Sequence, residues 1–352
     1  ALFNPITESV KRRLGRSLAL PPRGPPTKGK IVHGVACPAY ERVPPLSLSQ
    51  SPPHCCDALS RGDGVGALSD GSCGIGCHTA KGTVHLAAAR EAQNDIPLLE
   101  DIIVFGSSSE TDFISWDQLI ADGENTPPGT LAEIAAAVDP EDPVAIMYTS
   151  GTTGQPKGVV LDHLGLINKS LVSTERQGIN ANDRLCLFFP LFHMFGNTCI
   201  ALAGLLRGAA LIMPCRMFDP TRVLAAVPGE KCTAIYGSPS MLIALVDDPA
   251  FRTKDWITLS KGIIGGAPCP MELMRRIVED IGVSDITVAY GITETSSWIT
   301  MTHPGDALEL RVSTIGTPLP CNEVKLVDPA SGNELPPDQQ GERCTRGFLL
   351  LV

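Results

Sequence analysis

The chain has 352 residues, of which 43% are hydrophobic, and it carries a formal net charge of −10 at pH 7. A chain of this length can form two or three domains with cores of their own. Its acidic balance argues against a nucleic-acid partner, because the phosphates would repel it. No uncharged apolar run is long enough to predict a transmembrane helix.

Residues 1–87 are rich in Pro, Gly, Ser and Cys and follow neither a helical nor a strand period. We expect an irregular segment here, arising from disorder or from an error in the reading frame. Its basic stretch from Lys11 to Arg23 could act as a mitochondrial presequence. A zinc site is a less favoured alternative, because the candidate ligands lack paired C-x₂-C knuckles. Those candidates are Cys55, Cys56, Cys73, Cys77 and His78.

Twelve cysteines in a chain of this length do not indicate a small disulfide-stapled domain. Four of them lie in apolar runs, where a free thiol packs as a small hydrophobic group. These four are Cys186, Cys199, Cys232 and Cys321. We expect them to be reduced core residues of an intracellular protein, located in the cytoplasm or in mitochondria.

From Ala88 onward, predicted strands and helices alternate. The strand-like runs are "PVAIMY", "RLCLFF", "ALIM", "CTAIY", "GIIGG" and "ITVAY". The expected helix caps and first-turn residues are Asp219, Pro220, Ser238, Pro270 and Gly282. We therefore predict an α/β fold over residues 88–352, with mixed, largely parallel sheets flanked by helices. Ligands of such sheets bind beyond the carboxyl ends of the strands.

Four chemically unusual segments lie at or near predicted strand ends, which indicates a shared crevice. They are "YTSGTTGQPKG" (148–158), "PLFHMFG" (190–196), "GGAP" (265–268) and "GITET" (291–295). In the first, glycines let backbone N–H groups approach an anion, and Lys157 adds a point charge for phosphate. It is not a Walker A loop, because Gly158 follows the lysine and "GVVL" continues as a strand. A solvated hairpin is the structural alternative.

These motifs resemble those of the adenylate-forming superfamily, which contains acyl-CoA synthetases, luciferases and the adenylation domains of peptide synthetases. "YTSGTTGQPKG" is similar to its phosphate-binding signature, and the later motifs follow in the same order. "GGAPCP" and "GERCTRG" are most similar to medium-chain fatty-acyl-CoA synthetases. The resemblance extends from about Ala88 to Gly347 and implies the large-domain fold of that superfamily.

The resemblance also implies roles for individual residues. Lys157 would hold the β- and γ-phosphates of ATP, Tyr290 would stack on adenine, and Thr293 would contact phosphate. Glu294 would hold Mg²⁺, and His193 would line the acyl pocket near the substrate carboxylate. The implied nucleotide-binding residues are Thr149, Ser150, Gly151, Thr152, Thr153, Gly154, Gln155, Pro156, Lys157, Gly266, Ala267, Tyr290, Gly291 and Thr293.

Each of these residues also has a purely structural interpretation. His193 could be a core residue bonded to the backbone, and Tyr290 could be an amphipathic residue that closes a strand end. Thr293 and Glu294 could form an ordinary turn. The remaining positions, Tyr236, Gly237, Gly265, Gly266 and Ala267, could serve only strand-end packing and a tight turn.

The implied activity is ATP-dependent conversion of a carboxylic acid, expected to be a fatty acid, to an acyl-adenylate and then to acyl-CoA. The cofactors would be ATP, Mg²⁺ and coenzyme A, and no protein partner is predicted. Two alternatives stay open: a nucleotide-binding fragment without catalysis, and an adenylate-forming enzyme with another substrate, such as an amino acid or a luciferase substrate. The superfamily's ribose-binding Asp and C-terminal catalytic Lys have no counterpart here. We therefore expect weak or no complete turnover from this chain alone.

Overall fold

The computed structural model describes residues 76–77, 84–95, 99, 101–104, 113–150 and 156–347. These residues belong to two compact units. The N-terminal unit contains the described residues up to Leu164, and the C-terminal unit contains residues 165–347. Within the described ranges, every helix is too short or too polar to cross a lipid bilayer.

Three two-residue parallel strands and three helices make up much of the N-terminal unit. The strands are β1 (Gly76–Cys77), β2 (Ile103–Val104) and β3 (Ile114–Ser115). The helices are α1 (Val84–Asp95), α2 (Trp116–Gly123) and α3 (Thr130–Ala137). A small core of Ala89, Leu99, Ile102 and Val104 joins α1 to β2. Thus α1 begins ahead of residue 88, where the regular α/β pattern was predicted to start.

A hairpin completes this unit. Strands β4 (Pro143–Thr149) and β5 (Lys157–Asp162) pair antiparallel, with Thr149 opposite Lys157. The run "PVAIMY" forms a strand as predicted, but its apolar composition does not bury it: β4 is exposed or half-buried along its length. In the described part of the chain β4 pairs only with β5, which contributes the buried Val159 and Leu161.

The C-terminal unit is built on a seven-stranded sheet. Its strands are β6 (Arg184–Cys186), β7 (Ala210–Ile212), β8 (Ala234–Gly237), β9 (Lys261–Gly265), β10 (Asp285–Ile292), β11 (Ser297–Met301) and β12 (Thr317–Pro318). The order is β12-β11-β10-β9-β8-β6-β7. The strands β6 to β10 are parallel to one another, and β11 is antiparallel to both of its neighbours, β10 and β12. A mixed, largely parallel sheet is therefore confirmed. A separate antiparallel pair follows, β13 (Asn322–Val327) with β14 (Glu342–Gly347).

Helices flank this sheet. They are α4 (His163–Gln177, with its first two residues in the N-terminal unit), α5 (Ala203–Arg207), α6 (Pro220–Gly229), α7 (Pro239–Val246), α8 (Met271–Arg275) and α9 (Leu308–Ser313). Asp219 and Ser238 cap α6 and α7 as predicted, because each side chain accepts a backbone N–H from the first turn. A π-helix over Phe195–Leu202 leads directly into α5.

Two apolar clusters hold the C-terminal unit together, and three of the four predicted core cysteines lie in them. Cys186, Cys199 and Cys232 are buried free thiols. The prediction for Cys321 is wrong: this residue is exposed. It lies in the turn before β13 with φ of 65°, so its position in an apolar run does not bury it.

A buried lysine is the least expected feature of α4. The side chain of Lys169 is 0% exposed, and its Nζ donates to Asn322 Oδ1 at 3.2 Å. Burial lowers the pKa of Lys169 from 10.5 to about 7, because the charged ammonium loses its hydration. The nearby Cys199 cannot offset this as a thiolate, since burial raises its own pKa to about 12.

Candidate functional site

Three adjacent parallel strands end at the same edge of the main sheet. In β8, β9 and β10 the register aligns Gly237 with Ile264 and Gly265 with Ala289. The segment after β9 begins with Gly266 and Ala267, and the segment after β10 begins with Thr293 and Glu294. The structure therefore brings two of the four predicted motifs to neighbouring strand ends.

The bend after β9 depends on glycine at two positions for different reasons. Gly266 has φ of +86°, which a side chain would strain, and both Gly266 and Ala267 are exposed. Gly265 has an ordinary φ, but a Cβ there would lie 2.6 Å from Cη2 of Trp298. The bend is thus a tight turn whose backbone is open to solvent.

Tyr290 is half-buried near the end of β10. The guanidinium carbon of Arg343, in β14, lies 4.3 Å from the centre of its ring, in cation–π geometry. No sequence pattern indicated this pairing, because the two residues are distant in the chain. One ring face of Tyr290 is therefore covered by a cation in the described structure.

Gly291 permits the close approach of β10 and β11. A Cβ at this position would lie 1.7 Å from the carbonyl oxygen of Ser297, a backbone atom that cannot rotate away. We expect Gly291→Ala to lower the free energy of unfolding by about 2 kcal/mol through overpacking. Urea denaturation of Gly291→Ala and of Gly305→Ala would measure this, since a Cβ at Gly305 meets nothing within 4 Å. Equal stability of the two variants would contradict the expectation.

A single 3₁₀ turn, Thr293–Thr295, carries the predicted phosphate and metal residues. The buried hydroxyl of Thr295 lies 3.0 Å from the carbonyl oxygen of Ile292 and 3.1 Å from that of Ser297. The chain then leaves the turn through Ser296 and Ser297, with φ of 53° and 108°. Such left-handed conformations are unfavourable for these side chains and are enriched at functional sites. No sequence pattern singled out Thr295, whose hydroxyl links the two ends of this turn.

Glu294 is half-buried and forms no ion pair with any residue that the structure describes. No group of three or more metal-ligating side chains occurs in the described ranges. A lone carboxylate still fits Mg²⁺, because this ion is often held by one or two carboxylates together with substrate phosphates. The predicted zinc candidates lie outside the described residues, except Cys77 in β1, whose side chain is not described.

His193 is exposed in the segment between β6 and the π-helix. Its Nδ1 accepts the backbone N–H of Phe195 at 3.1 Å, so the proton of the neutral ring is on Nε2. Partial desolvation by the surrounding chain lowers the pKa of His193 below 6.5, which keeps the ring neutral at pH 7. An imidazole N–H donor is therefore presented to solvent.

The predicted phosphate loop lies in the N-terminal unit and is only partly described. Gly151, Thr152, Thr153, Gly154 and Gln155 lie outside the described residues. Of its flanks, Ser150 and Lys157 are exposed, and Thr149 pairs with Lys157 at the end of the hairpin. Lys157 forms no ion pair within the described ranges, so its ammonium is available to an anion.

Two further positions from the sequence analysis are buried. Tyr236 is 1% exposed and belongs to an apolar cluster, and Gly237 is buried at the end of β8. Both residues therefore belong to the packed interior at the end of β8 and are not exposed to solvent. Trp298, which no sequence pattern indicated, is the residue that packs against Gly265.

Comparisons with known proteins identify the family. The family model for AMP-binding enzymes matches residues 73–351. The chain is 40% identical over 255 residues to YngI of Bacillus subtilis (strain 168), provisionally named an acyl-CoA synthetase, covering 72% of this chain and 46% of that protein. It is 34% identical over 259 residues to the mitochondrial medium-chain acyl-CoA ligase ACSF2 of Danio rerio, and the match covers 73% of this chain and 43% of that protein.

A solved structure agrees with these matches. The crystal structure of the anthranilate CoA ligase AuaEII in complex with anthranoyl-AMP superimposes with a TM-score of 0.65 at 25% identity. It covers 75% of this chain and 49% of that one. The chain thus spans slightly under half the length of the curated relatives described above. On the family match and these identities, the chain belongs to the AMP-binding enzyme family.

Proposed function

We propose that this chain forms the nucleotide-binding and acid-binding part of an ATP-dependent acid–CoA ligase that acts on a fatty acid. The observation that carries the proposal is the alignment of the "GGAP" and "GITET" segments at neighbouring ends of β9 and β10. The names of the relatives, acyl-CoA synthetase and acyl-CoA ligase, support the same reaction class.

The proposed reaction has two steps. A carboxylate oxygen of the acid attacks the α-phosphorus of ATP, and the bond to pyrophosphate breaks to give an acyl-adenylate. The sulfur of coenzyme A then attacks the acyl carbon, and AMP leaves. The acid is ionised at pH 7, so the first step needs no general base from the protein.

The described residues would contribute binding and charge stabilisation. Tyr290 offers an aromatic ring for the adenine base, and the exposed backbone at Gly266 and Ala267 can follow its edge. The neutral His193 would donate its Nε2–H to the substrate carboxylate. Lys157 would hold the β- and γ-phosphates, a role that rests on the sequence motif and on the exposure of this lysine at the end of the hairpin.

Thr293 and Glu294 would act on the phosphates. Thr295 fixes the backbone of their turn, so the positions from which both side chains extend are set before a ligand binds. Glu294 would hold Mg²⁺, which when bound neutralises phosphate charge. No described residue is assigned to coenzyme A.

ATP–pyrophosphate exchange with a panel of acids tests the proposal. Exchange that depends on fatty acids would support it. Exchange with amino acids instead would indicate a different adenylate-forming enzyme. ATP binding without exchange for any acid would indicate a nucleotide-binding chain without catalysis and would contradict the proposal.

Glu294→Gln tests the proposed metal role separately. We expect the exchange rate to fall by about 100-fold, because a charge ligand to the phosphate-bound cation is removed. The Mg²⁺ concentration required for half-maximal ATP binding should rise, while AMP binding without Mg²⁺ should stay unchanged. Glu272→Gln, an exposed glutamate in α8, is the matched control. An unaltered Mg²⁺ requirement in Glu294→Gln would show that this carboxylate does not hold the metal.

A further inference from the structure

Arg343 places a positive charge beside the proposed nucleotide site. It is exposed on β14, and its guanidinium carbon lies 4.3 Å from the centre of the Tyr290 ring. Among the residues that the structure describes, this guanidinium has no hydrogen-bond acceptor and no ion-pair partner. Arg346 on the same strand instead donates to Oε2 of Glu323 at 2.6 Å. The N–H donors of Arg343 are therefore open to a ligand.

The guanidinium is a cover of Tyr290 that a ligand can displace. Tyr290 is half-buried, so the protein already covers part of its surface, whereas Arg343 is exposed. A cation–π contact at an exposed site changes an equilibrium by about two- to fivefold. Stacking of a nucleic-acid base on an aromatic side chain changes it by about 5- to 150-fold. An adenine base can therefore replace the guanidinium on the ring.

We propose that Arg343 makes the nucleotide site selective for phosphorylated adenosine over free adenosine. This inference rests on the proposed function, in which adenine stacks on Tyr290, and it concerns the selectivity of that same site. The base takes the ring face that Arg343 covers, and the displaced guanidinium binds a phosphate of the nucleotide. Its planar set of N–H donors matches phosphate oxygens and forms paired, charge-assisted hydrogen bonds with them.

The selectivity follows from what each ligand offers to the displaced guanidinium. Adenosine removes the cation from the ring and supplies no charge in return, so the lost contact lowers its affinity. AMP displaces the same group but supplies a phosphate, and hydrogen bonds to a charged group improve binding by about 10- to 100-fold. The chain has a formal net charge of −10, so a cation at this position also reduces the repulsion of an anionic ligand.

The experiment compares the wild-type chain with Arg343→Met, Arg343→Lys and the matched control Arg346→Met. Isothermal titration without Mg²⁺ measures the Kd of adenosine and of AMP for each protein. Methionine keeps an unbranched apolar side chain and removes the charge, and Arg346→Met removes the same charge from the same strand. Thermal melts check that each variant is folded.

Arg343→Met should bind adenosine about two- to fivefold more tightly than wild type does, because no cation has to leave the ring. The ratio of the adenosine Kd to the AMP Kd should fall by about 10-fold or more, because the contact to phosphate is lost. Arg343→Lys keeps a positive charge, so AMP should retain more of its advantage than in Arg343→Met. Arg346→Met should match wild type for both ligands.

An unchanged ratio of the two Kd values in Arg343→Met would overturn the inference and leave adenine binding, and with it the proposed function, intact. Equal or weaker adenosine binding in Arg343→Met would also overturn it, because the guanidinium would then not compete with the base. If neither ligand binds the folded wild-type chain, both this inference and the nucleotide part of the proposed function fail.

Discussion

Replacing Lys157 by methionine is expected to weaken ATP binding by about 100-fold, as removal of a charge-assisted contact to phosphate does. Acid-dependent ATP–pyrophosphate exchange should fall by about 1,000-fold, because the same charge also stabilises the departing pyrophosphate. AMP lacks the β- and γ-phosphates, so AMP affinity should not change. Titration of each nucleotide and the exchange assay measure these effects.

Lys231→Met is the control for Lys157, because it removes one exposed lysine from the same protein and keeps the same net charge as the test variant. It should behave as wild type in every assay. Equal loss of ATP and AMP affinity in Lys157→Met would indicate damage to the fold. Unchanged ATP affinity would show that Lys157 does not bind the phosphates of ATP. The main reason for interpreting residues 148–158 as a phosphate-binding loop would then be lost.

The variant Lys169→Met is expected to be more stable than wild type by about 4 kcal/mol at pH 6. At that pH, folding must bury the charged ammonium of Lys169, whose pKa is lowered to about 7 by burial. A shift from 10.5 to about 7 corresponds to about 5 kcal/mol, at about 1.4 kcal/mol per pH unit. Methionine fills a similar volume without charge, and loss of the hydrogen bond to Asn322 returns about 1 kcal/mol.

The sign of the pH dependence follows from the lowered pKa. Between about pH 7 and 10.5 the unfolded chain binds more protons at Lys169 than the folded chain does. The free energy of unfolding of the wild type should therefore increase as the pH rises through that window, because Lys169 loses its proton in the folded chain. This increase should be absent in Lys169→Met. Below about pH 7, Lys169 is protonated in both the folded and the unfolded chain. The difference in free energy of unfolding between wild type and Lys169→Met should therefore be constant there.

Urea denaturation of both proteins from pH 6 to 10 provides the test. Subtracting the free energy of unfolding of one protein from that of the other at each pH cancels the contribution of the other titrating groups. Lys231→Met again serves as the control for an exposed lysine. A parallel pair of stability curves, with the variant less stable at every pH, would show that Lys169 has an ordinary pKa in the folded protein.

Local sequence signals predicted much of the C-terminal unit. The caps Asp219 and Ser238 were predictable because a capping side chain bonds within its own first turn. The strands β6 to β10 were predictable because apolar runs between turn residues have few other stable conformations. Burial was less predictable, as Cys321 and β4 show, because it depends on which partners the fold supplies.

The candidate site was also predictable only in part. "GGAP" and "GITET" were placed at strand ends from the sequence, and the parallel register then makes them neighbours. The stacking of Arg343 on Tyr290 and the packing of Trp298 on Gly265 were not predictable, because both join distant segments. Lys169 was not predictable either: a lysine in a polar helix is expected at the surface, and only the packing of α4 buries it.

The antiparallel return of β11 constrains how this site can diversify. Side chains alternate along a strand, so inserting or deleting one residue between Thr293 and Ser296 would exchange Trp298 with Ile299 across the sheet. Such a length change would also disturb the carboxylate of Glu294 on the same turn. Exchanges of single side chains are therefore compatible with this part of the site, whereas a change in the length of the turn would alter the indole packing and the carboxylate position together.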